Sequence, residues 1–206
     1  MAAHPPGPTR LTPALVAAAE RHLADACPVM RRLVAAHGHC TLAARNREPF
    51  HTLCNSIISQ QLSSKAAESI HRRVGALVGG FTPAAFLAVG GETLRSAGLS
   101  AAKARTLCAL ARAVSDGDVR FEALHRLPDA EVTARLVALQ GIGPWTAQMF
   151  LIFGLKRADV LSPGDAGLCR AVRRLFGDGV SLEQAAGPWR PYRSVASWYL
   201  WRSLDA

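Results

Sequence analysis

Asp165 is the acidic residue whose setting most favours chemistry. It follows Pro163 and Gly164 directly and precedes a stretch with helical apolar periodicity. This setting predicts a helix N-cap, where backbone amides and the helix dipole stabilise the aspartate anion. An ionised carboxylate in a cleft can stabilise a developing cation or accept a proton from water. The setting alone leaves two interpretations open, a structural cap and a catalytic carboxylate.

A second candidate site is the glycine pair Gly141 and Gly143, which flanks Ile142 between two predicted helices. Glycine permits a positive φ and a close approach of the backbone to another surface. The amides of this turn stand at the N-terminus of the helix that begins at Pro144, and such a position binds anions. Together with the basic composition, this favours a DNA phosphate. A tight turn between two helices explains Gly-x-Gly equally well.

A third segment is the polar break at Gln60 and Gln61, where an apolar helix ends before a hydroxyl cap at Ser63 or Ser64. Amide side chains at such a break can reach into a groove or fill the space that an extruded base leaves. A plain polar turn between two helices is the alternative.

Aromatic side chains cluster near the C-terminus, although only 6% of the chain is aromatic. The cluster comprises Trp189, Tyr192, Trp198, Tyr199 and Trp201. We expect most of these rings to lie in the core. One or two facing a cleft could stack on a base, with added cation–π attraction for a charged base.

The composition favours a polyanionic partner. The 206 residues include 24 Lys and Arg against 15 Asp and Glu, which gives a net charge of +9. Nucleic acid is the first candidate and an anionic membrane surface the second, unless the charge only keeps the protein in solution. The five cysteines lack the spacing of a zinc or iron–sulfur site. We therefore expect a soluble, intracellular protein.

Helical periodicity runs through nearly the whole chain, with caps and prolines where helices begin, and no alternating stretch indicates a strand. The sequence predicts an all-α fold of about ten to twelve short helices. Residues 1–10 are rich in Pro and Gly and are predicted to be disordered. Residues 11–206 are predicted to form one domain.

Four segments, taken in chain order, resemble the helix-hairpin-helix DNA glycosylases. Among the branches of that family, they most resemble the DNA-3-methyladenine glycosylase II branch. The segments are IISQQLSSKAA, LQGIGPWTAQMFLI, DVLSPGDAGLCRAV and WRPYRSVASWYLW. The similarity covers about residues 48–202. Any one segment could be a coincidence, whereas four in order are specific.

The resemblance implies a two-lobed helical fold with the active site in a cleft between the lobes. About residues 48–160 would form the lobe with the hairpin, and about residues 11–47 and 161–206 the second lobe. Asp165 matches the catalytic aspartate. Trp145 and Trp201 match aromatic positions of the base pocket.

The DNA-binding roles also follow from the resemblance. Gly141, Ile142 and Gly143 match the hairpin that grips phosphate. In relatives this hairpin holds a monovalent cation, Na⁺ or K⁺, through main-chain carbonyls, here those of Val137, Leu139 and Ile142.

The resemblance also implies a segment that contacts the duplex, here Gln60, Gln61, Leu62 and Ser63. Gln61 lies about where relatives insert a wedge into the duplex.

Two positions bear on the reaction and its substrate. Relatives that also nick DNA carry a lysine where this chain has Trp145, and an indole cannot form a Schiff base, so water must be the nucleophile. Met149 stands where some relatives have a pocket tyrosine, which puts the lesion range in doubt. No cofactor is expected for catalysis, and no iron–sulfur cluster.

The resemblance implies a base excision repair enzyme that acts on double-stranded DNA with alkylated bases, and we expect a monomer. Two rival functions stay open. One is a non-catalytic helix-hairpin-helix DNA-binding protein, and the other a glycosylase for oxidised or mismatched bases.

Overall fold

The computed structural model describes residues 9–44 and 46–204. Within them the chain is helical and forms no β-strand, apart from one isolated antiparallel bridge between Arg10 and Arg157. The prediction of an all-α fold is confirmed.

The predicted disordered N-terminus lies outside the described residues at positions 1–8. Thr9 and Arg10 are described, and here the structure differs from the prediction because the backbone pairs with a later loop. Ala158 donates to the Thr9 carbonyl at 2.9 Å, and Leu11 donates to the Lys156 carbonyl at 2.7 Å.

The described residues contain twelve α-helices and a short 3₁₀ turn at Gly187–Trp189. In chain order the helices are α1 Pro13–Ala26, α2 Pro28–His37, α3 Pro49–Ser59, α4 Ser64–Val78, α5 Pro83–Ser96, α6 Ala101–Ser115, α7 Phe121–Leu124, α8 Asp129–Val137, α9 Pro144–Phe153, α10 Ala166–Phe176, α11 Leu182–Ala185 and α12 Arg193–Arg202.

Most helices begin where capping residues predicted them. The hydroxyls of Thr12, Ser63 and Ser100 each accept a hydrogen bond from the amide three residues on. Such a bond satisfies an amide that has no partner inside the helix. Ser181 and Gln184 form the predicted capping box at α11.

Two helices differ from what the sequence indicates. Asp129 follows Pro128 and precedes apolar residues at helical spacing that run to about Gln140, which predicts an N-cap. In the structure Pro128 is the N-cap of α8, so Asp129 lies in the first turn, where an acid still favours the helix dipole, and α8 ends at Val137. The one-turn helix α7 is too short to show periodicity and was not predicted. The pair Gly90 and Gly91 predicts a break, and Gly90 interrupts α5 with φ 75° and ψ 163°.

The chain divides into two compact units. Among the described residues, the terminal unit comprises 9–44, 46 and 151–204, and the central unit comprises 47–150. The sequence had placed residues 151–160 with the central residues. They belong to the terminal unit because Ala158 pairs with Thr9 and with Ser194.

Each unit has its own apolar core. In the central unit Leu53, Phe86 and Leu107 are fully buried, from α3, α5 and α6. In the terminal unit α1 contributes Leu23. Of the C-terminal aromatic residues, Trp189, Trp198 and Tyr199 are also buried there. The expectation that most of the C-terminal rings lie in the core is therefore confirmed.

Among the described residues no single helix is long and apolar enough to cross a membrane. The pair α4 and α5 reaches that length and composition together, with a bend of 107° between them.

Candidate active site

Asp165 is buried in the terminal unit, with 7% of its surface exposed. It is the N-cap of α10, and its Oδ1 atom accepts a hydrogen bond from the Leu168 amide at 2.7 Å. The same oxygen accepts a second hydrogen bond from Trp201 Nε1 at 3.1 Å. The cap and the candidate catalytic carboxylate are thus one side chain, and two N–H donors fix its orientation.

Gly167 makes this arrangement sterically possible. A Cβ atom at position 167 would lie 3.0 Å from Asp165 Oδ1 and 3.4 Å from Trp201 Cδ1. Any larger residue would press on both partners. The sequence analysis missed Gly167, although its position two residues after the aspartate was a signal.

Trp201 forms part of an aromatic surface beside Asp165. Its ring stacks on Phe153, with centroids 5.5 Å apart and planes inclined by 28°. Both rings are only half-buried. Phe153 was not predicted as a site residue because it reads as the end of an apolar helix. The stacked pair could hold a flat aromatic ligand by further stacking.

An ion pair secures the loop that leads to Asp165. Arg193 Nε donates to Asp159 Oδ1 at 2.6 Å, and Arg193 Nη2 donates to Asp159 Oδ2 at 3.0 Å. Beside it, the Val160 amide donates to Ser194 Oγ at 3.0 Å. These bonds connect the start of the loop to the first turn of α12. Trp201 belongs to the same helix, so the bonds help to set the position of its indole.

The glycine turn lies in the central unit between α8 and α9. Gly141 has φ +83°, and a Cβ atom there would overlap the side chain of Thr106. Glycine is therefore required at 141 by conformation and by space. Gly143 differs, because its φ is not positive and no described atom lies within 4 Å of where its Cβ would be. Ile142 is buried, and its amide donates to the Leu139 carbonyl at 3.1 Å.

The predicted duplex-contacting residues divide into two kinds. The Gln60 side chain points at the glycine turn, where Nε2 donates to the Gly141 carbonyl at 3.0 Å. Gln61 and Leu62 are exposed, and Gln61 has φ +54°. Ser63 caps α4. Only Gln61 and Leu62 therefore present side chains that are free of such a structural bond.

The remaining predicted residues lie in the central unit. On α9 Trp145 is half-buried and Met149 is buried. Of the residues expected to offer carbonyls to a cation, Val137 is exposed, Leu139 is half-buried and Ile142 is buried. Among the described residues no three His, Cys, Asp or Glu side chains gather as metal ligands would.

These features define a helical protein with a glycine hairpin between two helices and a buried, hydrogen-bonded aspartate. The sequence matches the family model of the HhH-GPD superfamily base excision DNA repair protein over residues 54–185. The chain belongs to this superfamily.

Named relatives agree with this assignment. DNA-3-methyladenine glycosylase 1 of Schizosaccharomyces pombe is 33% identical over 196 residues, which cover 90% of this chain and 86% of that protein. DNA-3-methyladenine glycosylase of Saccharomyces cerevisiae is 38% identical over 145 residues, which cover 66% of this chain and 49% of that protein.

The fold is also similar to that of a solved relative bound to DNA. The structure of the Schizosaccharomyces pombe 3-methyladenine DNA glycosylase (Mag1) in complex with abasic DNA has a TM-score of 0.82 and 31% identity. The match covers 92% of this chain and 97% of that one.

Proposed function

We propose that this protein is a monofunctional DNA glycosylase of base excision repair. It flips alkylated bases such as 3-methyladenine out of the duplex and hydrolyses their N-glycosidic bond, leaving an abasic site. The single observation that carries the proposal is the buried Asp165 carboxylate, held by the Leu168 amide and the Trp201 indole. The similarity to proteins named DNA-3-methyladenine glycosylases supports the substrate class.

Aromatic side chains recognise the flipped base in this proposal. Trp201 and Phe153 offer stacked indole and phenyl rings beside the carboxylate. An alkylated purine carries a positive charge, so it gains cation–π attraction in addition to stacking. Trp145 and Met149 are further proposed members of the base pocket.

Asp165 acts on the sugar while the bond to the base breaks. The bonding electrons move to the cationic purine, which leaves as a neutral base, and positive charge develops on the deoxyribose ring. The carboxylate stabilises that charge and orients water towards the anomeric carbon, much as a carboxylate serves in glycosidases. The water gives up a proton to the Asp165 carboxylate as it adds, and an intact abasic strand results. Because two donors hold Oδ1, little reorganisation is needed during the reaction.

The hairpin binds the DNA backbone without regard to sequence. The amides of Gly141 and Gly143 bind a phosphate at the start of α9. We propose that the carbonyls of Val137, Leu139 and Ile142 hold a Na⁺ or K⁺ ion that supports the turn. Gln61 or Leu62 fills the stack that the flipped base vacates.

Strand cleavage is not part of the proposed reaction. Trp145 offers no amine for a Schiff base, so hydrolysis by water ends the reaction at the abasic site. No cofactor is needed for these steps. We propose that the protein acts as a monomer on damaged double-stranded DNA inside the cell.

The direct test uses duplexes that contain methylated adenine, ethenoadenine, 8-oxoguanine or uracil. Released base is measured by chromatography, and strand breaks are measured with and without alkali. We expect release of methylated adenine and breaks only after alkali. Binding without release would support a non-catalytic DNA-binding protein. Release of oxidised or mismatched bases alone would support another lesion class, and nicking without alkali would contradict the monofunctional assignment.

A further inference from the structure

Gln60 is fully engaged inside the central unit. Its Nε2 atom donates to the Gly141 carbonyl at 3.0 Å and to Thr146 Oγ1 at 2.9 Å. An amide nitrogen carries two hydrogens, so both are used. One acceptor lies in the hairpin turn, residues 139–143, and the other in the first turn of α9. Turning Gln60 outwards would break both bonds at once.

Lys103 also binds the end of α3, through two hydrogen bonds to backbone carbonyls. Its Nζ atom donates to the Ile58 carbonyl at 2.7 Å and to the Gln60 carbonyl at 2.6 Å. These carbonyls lie at the end of α3, where no further helical turn supplies amides to them. Lys103 is half-buried, and this burial lowers the pKa of its ammonium group.

Helix α6 links the two contacts. Thr106 stands one turn after Lys103, and its side chain fills the space beside Gly141. One turn of α6 therefore touches the end of α3 through Lys103 and the hairpin turn through Thr106. Directly after this anchor the chain enters the wedge segment, residues 61–63, with Gln61 in the left-handed region.

We propose that Gln60 and Lys103 are positioning residues that hold the wedge segment and the hairpin turn in one fixed arrangement. This inference rests on the proposed function, because it gives a purpose to the link between the two DNA-contacting segments. The residue that fills the stack and the turn that binds the phosphate then keep a fixed spacing when they meet the DNA. Gln60 is thereby distinguished from Gln61, its neighbour in sequence, which is left to enter the duplex.

Amide hydrogen exchange in the absence of DNA tests the link itself. Gln60→Met keeps the length of the side chain but removes both donors, and Gln61→Met is the matched control in the adjacent residue. We expect the amide of Ile142, which donates to the Leu139 carbonyl, to exchange about tenfold faster in Gln60→Met, as the loss of two side-chain hydrogen bonds allows, and to be unchanged in Gln61→Met.

Lys103→Met tests the second half of the link. We expect faster exchange at the amides of Gln60 and Leu62, which donate to the carbonyls of Ile57 and Ser59, again by about tenfold. The control is Lys156→Met in the terminal unit, which likewise removes a buried ammonium that donates to a backbone carbonyl, that of Ala43. The control should leave exchange in the central unit unchanged.

DNA binding separates positioning from direct contact. A lysine that binds a phosphate contributes about 0.9 to the slope of log affinity against log salt concentration. We expect Lys103→Met to weaken binding of an abasic-site duplex several-fold with the slope unchanged. A slope reduced by about 0.9 would make Lys103 a phosphate ligand and would overturn its positioning role.

Comparing the excision rates on duplex and single-stranded substrates distinguishes a positioning residue from a wedge residue. A wedge acts only where a stack must be filled, so its loss spares single strands. If Gln60→Met slows excision from duplexes alone and leaves hairpin exchange unchanged, Gln60 is the wedge and the proposal fails. The exchange experiments do not depend on catalysis. They therefore distinguish failure of this inference from failure of the glycosylase assignment.

Discussion

At the residue scale, the proposed chemistry depends on one oxygen atom. Asp165 Oδ1 accepts hydrogen bonds from the Leu168 amide and from the Trp201 indole. The helix cap and the aromatic surface therefore share the same atom. A displacement of either donor reorients the carboxylate. Because catalysis by a positioned group is sensitive to shifts of about 1 Å, small steric changes near Asp165 should cost far more activity than stability.

Gly167→Ala tests this sensitivity. The added Cβ would stand 3.0 Å from Asp165 Oδ1, so the carboxylate or Trp201 must move. We expect single-turnover base release to fall by about tenfold or more, while alanine is tolerated in the helix. The control in the same unit is Gly179→Ala, where no described atom lies within 4 Å. Equal rates in both variants would contradict the steric argument.

The sequence predicted part of this residue-level arrangement. Pro163 and Gly164 before an apolar helix indicated the cap at Asp165, and the structure shows that cap. The contact with Trp201 could not be predicted from spacing, because 36 positions separate the two residues and only tertiary packing joins them. The stacking of Phe153 on Trp201 could not be predicted for the same reason.

At the element scale, helix ends carry the important connections. The first turn of α12 is tied to the loop before Asp165 by Arg193 and Ser194, and the end of α3 is tied to α6 by Lys103. Cap residues and prolines predicted where most helices begin. They could not predict the left-handed conformation of Gln61, because neither a cap nor a proline pattern indicates a positive φ at that position.

Arg193→Met should destabilise the folded protein. The substitution removes the bidentate pair with Asp159 and leaves a partly buried carboxylate with fewer donors. We expect the free energy of unfolding to fall by about 1–3 kcal/mol, as for hydrogen bonds to charged groups. Urea unfolding measures the change. In the Asp159→Asn background the same substitution should cost less, and an equal cost would show that the pair does not couple.

A histidine pair between α3 and α4 should make stability depend on pH. His51 and His71 meet through their Nε2 atoms at 2.9 Å, and both rings stack on Phe81. Burial, with the nearby Arg47 charge, lowers the pKa of both histidines below the ordinary 6.5, and His51 adds to the effect on His71.

The unfolded chain therefore binds more protons than the folded one as the pH falls through 6.5, and stability should decline there. Urea midpoints at pH 7.5, 6.5 and 5.5 measure the decline. His71→Gln should flatten it, because one of the two groups no longer titrates. An unaltered slope in the variant would contradict a role for the pair.

At the scale of the whole molecule, the prediction of the family depended on the net charge and on the order of the four segments. The net charge of +9 indicated a polyanion, and four segments in order indicated the family, which the family model over residues 54–185 supports. The lobe boundary was less predictable, since residues 151–160 begin inside the apolar helix α9 and no change in composition marks that point. Their pairing with the N-terminal residues assigns them to the terminal unit.

The central claim is that the whole molecule turns over damaged DNA through Asp165. Asp165→Asn keeps an oxygen that can cap α10 but removes the negative charge. We predict that the variant binds an abasic-site duplex within about threefold of the wild type, while single-turnover release of methylated adenine falls by about 10² or more. Release at the wild-type rate by a folded Asp165→Asn protein would contradict the account.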